Sequence, residues 1–247
     1  MSKVISWFSC GVSSAVATKL AIKKYGDIQI IYTHIDDQHE DTLRFLKECE
    51  KWFGIDIEIM QSEYKNVNDA CLKAGFIASP YGAACTKRLK RDLRKQWEKE
   101  NGTGYTYIWG YDLNEQHRAD RIVDSMPEYK HEFPLIENYY DKRMVHGLLE
   151  DAGINRPMMY ELGYPNNNCI GCLKGGMGYW NKIREDFPDV FESRCKLEET
   201  IGGRIFKDFM LRDLDKDRGN KLDIIVPDCG MFCEIYSVKD LLEKEGN

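Results

Sequence analysis

The chain lacks any apolar run approaching the roughly 20 residues that a bilayer-spanning helix needs, and its start has no signal-peptide h-region. These two absences give the expectation of a cytoplasmic protein with no membrane partner. An excess of positive charge is missing as well: 35 Lys and Arg stand against 41 Asp and Glu, a net charge of −6. That balance argues against a surface built wholly to coat nucleic acid, while leaving room for a local basic patch. The Walker pattern is absent, because no Gly-Lys-Ser/Thr closes the first glycine-containing turn, and the Gly-x-Gly-x-x-Gly spacing is absent there too.

What is present suffices for a substantial core. With 247 residues, 43% hydrophobic and 31% charged, the chain reads as one large α/β domain, or one domain with an appendage. Its nine cysteines, without an export signal, read as reduced thiols, some of them candidate metal ligands.

The organising stretch lies near the start. A β-prone run, Val4 to Phe8, enters the small-residue turn Ser9-Cys10-Gly11-Val12-Ser13-Ser14, and helix formers from Ala15 to Lys24 follow. A strand turning through glycine and hydroxyls into a helix aims backbone N–H groups and a positive dipole end at one point, where phosphate can be held. Further strands are expected at Ile28 to Ile35, Ile55 to Met60, Tyr105 to Tyr111 and Lys130 to Ile136. Helices are expected at Asp41 to Phe53 and Asp141 to Ala152. This βαβαβ rhythm predicts a doubly wound, mostly parallel five-stranded twisted sheet flanked by helices.

Three further groups carry chemistry. Cys85 opens a strongly basic helix, residues 87–95, whose cations favour thiolate and form a surface for phosphate, sulfate or a nucleic-acid backbone. Gly110 ends the fourth strand, where a ligand can approach the backbone, and Arg118 and Arg121 lie three apart on one helix side, able to grip an anion. Past Gly153 the chain turns loop-rich around Cys169-Ile170-Gly171-Cys172, a pair able to clamp a metal with partners from Cys85, Cys195, Cys229 or Cys233. Iron–sulfur, zinc, a redox dithiol and plain buried thiols all remain open at this stage. Residues 197–221 read as a charged, exposed stretch. A division follows from this change of character: a nucleotide-binding core over 1–153 and a cysteine-rich region over 154–247 packed on it.

Ser9, Gly11 and Ser14 resemble the Ser-Gly-Gly-x-Asp-Ser pyrophosphate loop of the adenine nucleotide α-hydrolase-like superfamily, a Rossmann-like fold. Cys10 replaces a glycine and Ser13 the aspartate. Within the superfamily the chain resembles the phosphoadenylyl-sulfate reductase family, with Gly110, Glu115, Arg118 and Ala119 in step with a family segment. The resemblance implies nucleotide contacts from Ser9, Cys10, Gly11, Ser13, Ser14, Gly110 and Arg118, with Asp36 beside ribose or metal. It implies ATP or an adenylyl sulfonucleotide with Mg²⁺. A [4Fe-4S] cluster would sit on Cys85, Cys169 and Cys172, with Cys233 or Cys229 as candidate fourth ligand and zinc as the alternative metal. Ala84 stands where iron–sulfur members carry a second cysteine. Asp228-Cys229-Gly230-Met231-Phe232 resembles the tail bearing the reductase nucleophile, but a phenylalanine replaces its histidine. Ser14, Arg118 and Cys229 are therefore the candidate catalytic residues. The first expectation is ATP-dependent adenylation, pyrophosphate release and sulfur transfer; the second is sulfonucleotide reduction to sulfite; the third is a non-catalytic nucleotide sensor. The acceptor and the sulfur or electron donor are not readable, and self-association into a homo-oligomer stays open.

Overall fold

A computed structural model describes residues 3–79, 82–222, 224 and 226. Along the chain, β1 (Val4–Phe8) leads into α1 (Val12–Tyr25), β2 (Gln29–His34) into α2 (Asp41–Phe53), and β3 (Glu58–Gln61) into α3 (Val67–Ala74). A small antiparallel ribbon, β4 (Ala78–Ser79) with β5 (Gly82–Ala83), precedes α4 (Ala84–Thr86), a π-helical turn (Lys87–Arg91) and α5 (Asp92–Asn101). There follow β6 (Thr106–Ile108), α6 (Gln116–Ser125), β7 (Lys130–Glu132), α7 (Pro134–Glu137), α8 (Lys142–Asp151) and α9 (Met158–Glu161). Next come α10 (Met177–Asp186) and α11 (Pro188–Ile201). Among the described residues no helix is long and apolar enough to cross a membrane.

The chain forms two compact units that interleave in sequence. Of the described residues, the first takes 3–34, 39–60 and 94–163; the second takes 35–38, 61–79, 82–93 and those within 164–247.

The first unit carries the sheet, ordered β3-β2-β1-β6-β7, with β1–β2, β1–β6 and β6–β7 parallel. All five residues of the central β1 are buried, which is why it reads as an unbroken run instead of an alternation. Successive side chains point to opposite faces. Val4 and Phe8 join Val16, Phe45 and Leu149 in one core, while on the other face Trp7 meets Trp97 edge-on at 5.7 Å. Each such large side chain contributes about 1.5–3 kcal/mol on burial. On that second face Glu98, 6% exposed, ion-pairs with Arg94 and accepts from the hydroxyls of Tyr107 (2.7 Å) and Tyr129 (3.1 Å). Strand order reverses between β1 and β6, and the carboxyl ends of those two strands flank the crevice where open sheets bind ligands.

The fifth strand is shorter than expected. Pairing runs only through Glu132, and Pro134 opens α7 instead, because proline has no N–H for a ladder and its fixed φ suits a first helical position.

The second unit packs α3, α4, α10 and α11 around Ile35, Val67, Ile77, Leu89, Leu173 and Leu197. Most of the stretch 197–221 is exposed or half-buried, as expected, but four residues in it are buried. Leu197, Glu198, Leu211 and Leu214 are buried, and the Glu198 carboxylate accepts the backbone N–H groups of Ile205 (2.6 Å) and Leu211 (2.5 Å). One buried acid thus replaces a run of secondary structure in holding this loop.

Candidate nucleotide loop and thiol site

The turn after β1 is braced from within. Ser9 N–H donates to Ser14 Oγ (3.1 Å), closing the loop, and Thr18 Oγ1 donates to Ser14 O (2.7 Å), securing it to the next helical turn. Cys10 takes φ +56, a left-handed conformation that costs a side-chain-bearing residue about 1 kcal/mol or more. Its side chain is fully buried, and burial pushes its thiol well above the ordinary range, with Cys49 and Glu50 adding to the shift. Cys10 therefore offers a ligand only its backbone. Gly11 is the N-cap of α1 with no side-chain cap, and the helix has no acidic residue in its first turn. The positive dipole end is left uncompensated by local carboxylates. Tyr160 Oη accepts the Val12 N–H at 3.3 Å.

Gly110 packs against the turn after β1. A Cβ there would lie 2.6 Å from Ser14 Cα and 2.7 Å from Ser14 N, so the close approach is that of the loop's own backbone. Arg118 is 4% exposed, its guanidinium ion-paired with Glu115 and lying 4.3 Å over the Tyr111 ring. Asp112 and Glu115 form a capping box around the turn Leu113–Glu115, which fixes Glu115 for that pairing. An anion would meet a guanidinium whose charge is already shared with a carboxylate.

In the second unit, Cys85, Cys169 and Cys172 line one small cavity with Ile35, Leu89 and Lys90. Burial pushes the Cys169 thiol far up, and the nearby Lys90 ammonium pulls the other way. The Cys169–Cys172 loop is held by three residues that sequence reasoning missed. Asp37 O accepts Ile170 N–H (2.8 Å), and Arg194 Nε donates to Gly171 O (3.3 Å). Arg194 also ion-pairs with Asp37. Tyr179 Oη accepts Cys172 N–H at 2.8 Å and reaches Cys169 O at 3.4 Å. These partners lie far from the loop in sequence or look like ordinary core residues, and no local pattern announces them. Asp36, a loop-end candidate, is exposed and accepts from Gln61 Nε2 at 2.6 Å.

The donor set, three thiols on one cavity, suits a soft metal or an iron–sulfur cluster. Among the described residues no three or more His, Cys, Asp or Glu side chains are gathered as ligands for a single ion. Cys229 and Cys233 lie outside the described residues, so the fourth-ligand and nucleophile expectations are not placed. Of the six cations in the run 87–95, Lys90 and Arg94 are buried, Arg88 (over Tyr64) and Arg91 are half-buried, and Lys87 and Lys95 are exposed.

The sequence pattern described as the phosphoadenosine phosphosulfate reductase domain matches residues 3–175. Two uncharacterized proteins of Methanocaldococcus jannaschii are similar: MJ0066 is 26% identical over 192 residues, covering 75% of this chain and 39% of that protein. MJ0973 is 21% identical over 205 residues, covering 79% and 47%. The chain thus spans less than half the length of these relatives. A phosphoadenylyl-sulfate reductase from Candida auris, solved with phosphate, superposes with a TM-score of 0.48 at 12% identity, over 67% of this chain and 80% of that one.

Proposed function

The chain belongs to the phosphoadenosine phosphosulfate reductase domain family, and from that premise we propose an enzyme that binds ATP at the Ser9–Ser14 loop and adenylates an acceptor before sulfur is transferred to it. The observation that carries this reading is the loop itself. It stands at the carboxyl end of β1, beside the strand-order reversal, with the N-terminus of α1 behind it and no acidic residue in that helix's first turn. Backbone N–H groups at Gly11, Val12 and Ser13 hold the phosphates, and the Ser9–Ser14 brace keeps those donors in place. With no acidic residue in the first turn of α1, magnesium is bound chiefly through the nucleotide's phosphates and water. An oxygen of the acceptor bonds to the α-phosphorus, the bond to the bridging oxygen breaks, and pyrophosphate leaves carrying the electron pair. Loop donors that follow the developing charge on that leaving group lower the barrier.

Cys85, Cys169 and Cys172 hold an iron–sulfur cluster in this proposal. When bound, it supplies the iron and sulfide chemistry that sulfur transfer needs. The chain's own part is to keep water from the apolar cavity, set the Cys169–Cys172 loop through Asp37, Arg194 and Tyr179, and balance thiolate charge with Lys90. The family's own description favours a second reading, reduction of an adenylyl sulfonucleotide to sulfite. It requires a nucleophilic thiolate, and the matched span ends at residue 175, short of Cys229. The deciding experiment offers the protein ATP or an adenylyl sulfonucleotide and measures pyrophosphate and sulfite. Pyrophosphate release supports adenylation; sulfite release that is lost in Cys229→Ser establishes reduction instead.

A further inference from the structure

We propose that Tyr160 is a residue of the nucleotide site: its hydroxyl occupies the first N–H of α1 in the ligand-free protein and yields that N–H to an incoming phosphate. The inference rests on the phosphate-loop reading above and adds to it a residue about 150 positions away in sequence. Val12 N–H donates to Tyr160 Oη at 3.3 Å, a long bond, and the same oxygen lies 3.5 Å from where a Cβ on Gly11 would sit. The phenol oxygen therefore hangs over the glycine that a phosphate must approach. A neutral phenol is a weaker acceptor than a phosphate oxygen, whose hydrogen bonds are charge-assisted and roughly twice as strong. The anion wins the donor, and the phenol must move aside.

The segment bearing Tyr160 is built as a strap. Asp41 and Arg44, in the first turn of α2, form a two-point ion pair (2.6 and 2.8 Å). Arg44 donates to the carbonyls of Asn155 and Arg156 (3.1 Å each), and Asp41 accepts Met158 N–H (2.8 Å). These bonds fix the strap's near end. The Tyr160 ring rests edge-on against His146 at 5.1 Å, and beyond it Gly163, at φ +82, donates its N–H to Tyr160 O at 3.1 Å. A cleft of about 740 Å³, lined by Arg44, His146, Glu150, Arg156 and Glu161, borders the strap. The ligand-free loop is thus capped by a group that costs little to remove and keeps the donor satisfied meanwhile.

Calorimetric titration with magnesium ATP of the wild type and of Tyr160→Phe tests this, together with hydrogen exchange of residues 155–162. Losing one neutral competitor should tighten binding in Tyr160→Phe about two- to tenfold, and ATP should speed exchange of the wild-type strap. Weaker binding in Tyr160→Phe would show that the hydroxyl serves the ligand directly and overturn the proposal. So would unchanged affinity, or strap exchange that is unaltered or slowed by ATP. Wild-type exchange decides the matter even if the variant folds poorly. Absence of binding in both proteins would remove the nucleotide reading itself, a failure distinct from binding that ignores Tyr160.

Discussion

Gly110, just past β6, lies so close to Ser14 that a Cβ on it would come within 2.6 Å of the Ser14 Cα. The loop after β1 is thus clamped against the backbone that follows its neighbouring strand, and neither half of the contact can retreat, since both are main chain. Gly110→Ala should cost about 1–3 kcal/mol or more by overpacking, read as a lower urea midpoint with unchanged slope. Any nucleotide affinity should fall with it.

Gly11 offers the opposite case. A Cβ there meets only Tyr160 Oη at 3.5 Å and Ser9 Oγ at 3.6 Å, ordinary contacts, and its φ of −96 is open to any residue. Gly11→Ala should fold with nearly wild-type stability, because replacing a glycine N-cap by alanine costs well under about 2 kcal/mol. It should lose the rise in melting temperature that ATP gives the wild type, since the added methyl stands where phosphate approaches. A full ATP-induced rise in Gly11→Ala would contradict the loop assignment.

The buried pair Arg94–Glu98 tests the opposite face of the sheet. Both side chains are nearly inaccessible, at 4% and 6% exposure, and Tyr107 and Tyr129 converge on the same carboxylate. Glu98→Ala strands a buried guanidinium and should cost about 3–5 kcal/mol in a denaturation experiment. The double change Arg94→Met with Glu98→Leu should recover most of that loss. If the double variant is as unstable as the single one, the tyrosine hydroxyls matter more than the charge pair.

Iron analysis of anaerobically purified protein addresses the thiols. Replacing Cys85, Cys169 or Cys172 with serine should bleach a brown protein holding about four irons, whereas Cys49→Ser should not, because Cys49 packs in the separate core beneath the sheet. One tightly bound zinc in a colourless preparation would identify the other metal.

How much of this was readable from residues alone depends on distance along the chain. The strand, turn and helix from Val4 to Tyr25 were legible because each signal is local: an unbroken apolar run, then small residues, then helix formers. Lys130 to Ile136 misled because Phe133, Leu135 and Ile136 are as compatible with a buried helix turn as with a strand, and Pro134 was the overlooked sign. The basic run 87–95 gave its composition but not its facing, and Lys90 and Arg94 turned out buried. Asp37, Tyr179 and Arg194 were invisible as supports of the Cys169–Cys172 loop. An aspartate paired with an arginine 157 positions away leaves no periodic trace.

Glu198 makes the second unit sensitive to pH in a direction that can be worked out. The side chain is fully buried, and burial raises its pKa above the ordinary 4.5, although bonds from Ile205 and Leu211 N–H groups pull it down. A carboxyl whose pKa is higher folded than unfolded binds its proton more tightly in the folded state. Its stabilising contribution is complete below the unfolded value and is lost as pH rises through the folded one. The wild type should therefore gain stability on acidification toward that ordinary value, relative to Glu198→Gln, which keeps an acceptor oxygen but cannot titrate. Glu198→Ala should be worse at every pH, by about 1–3 kcal/mol for each backbone N–H left without its acceptor. Urea midpoints of the three proteins across the mildly acidic to neutral range give the answer. A wild-type minus Glu198→Gln difference that grows as pH rises would mean that the two N–H bonds outweigh burial, and that Glu198 holds its loop best as a charged group.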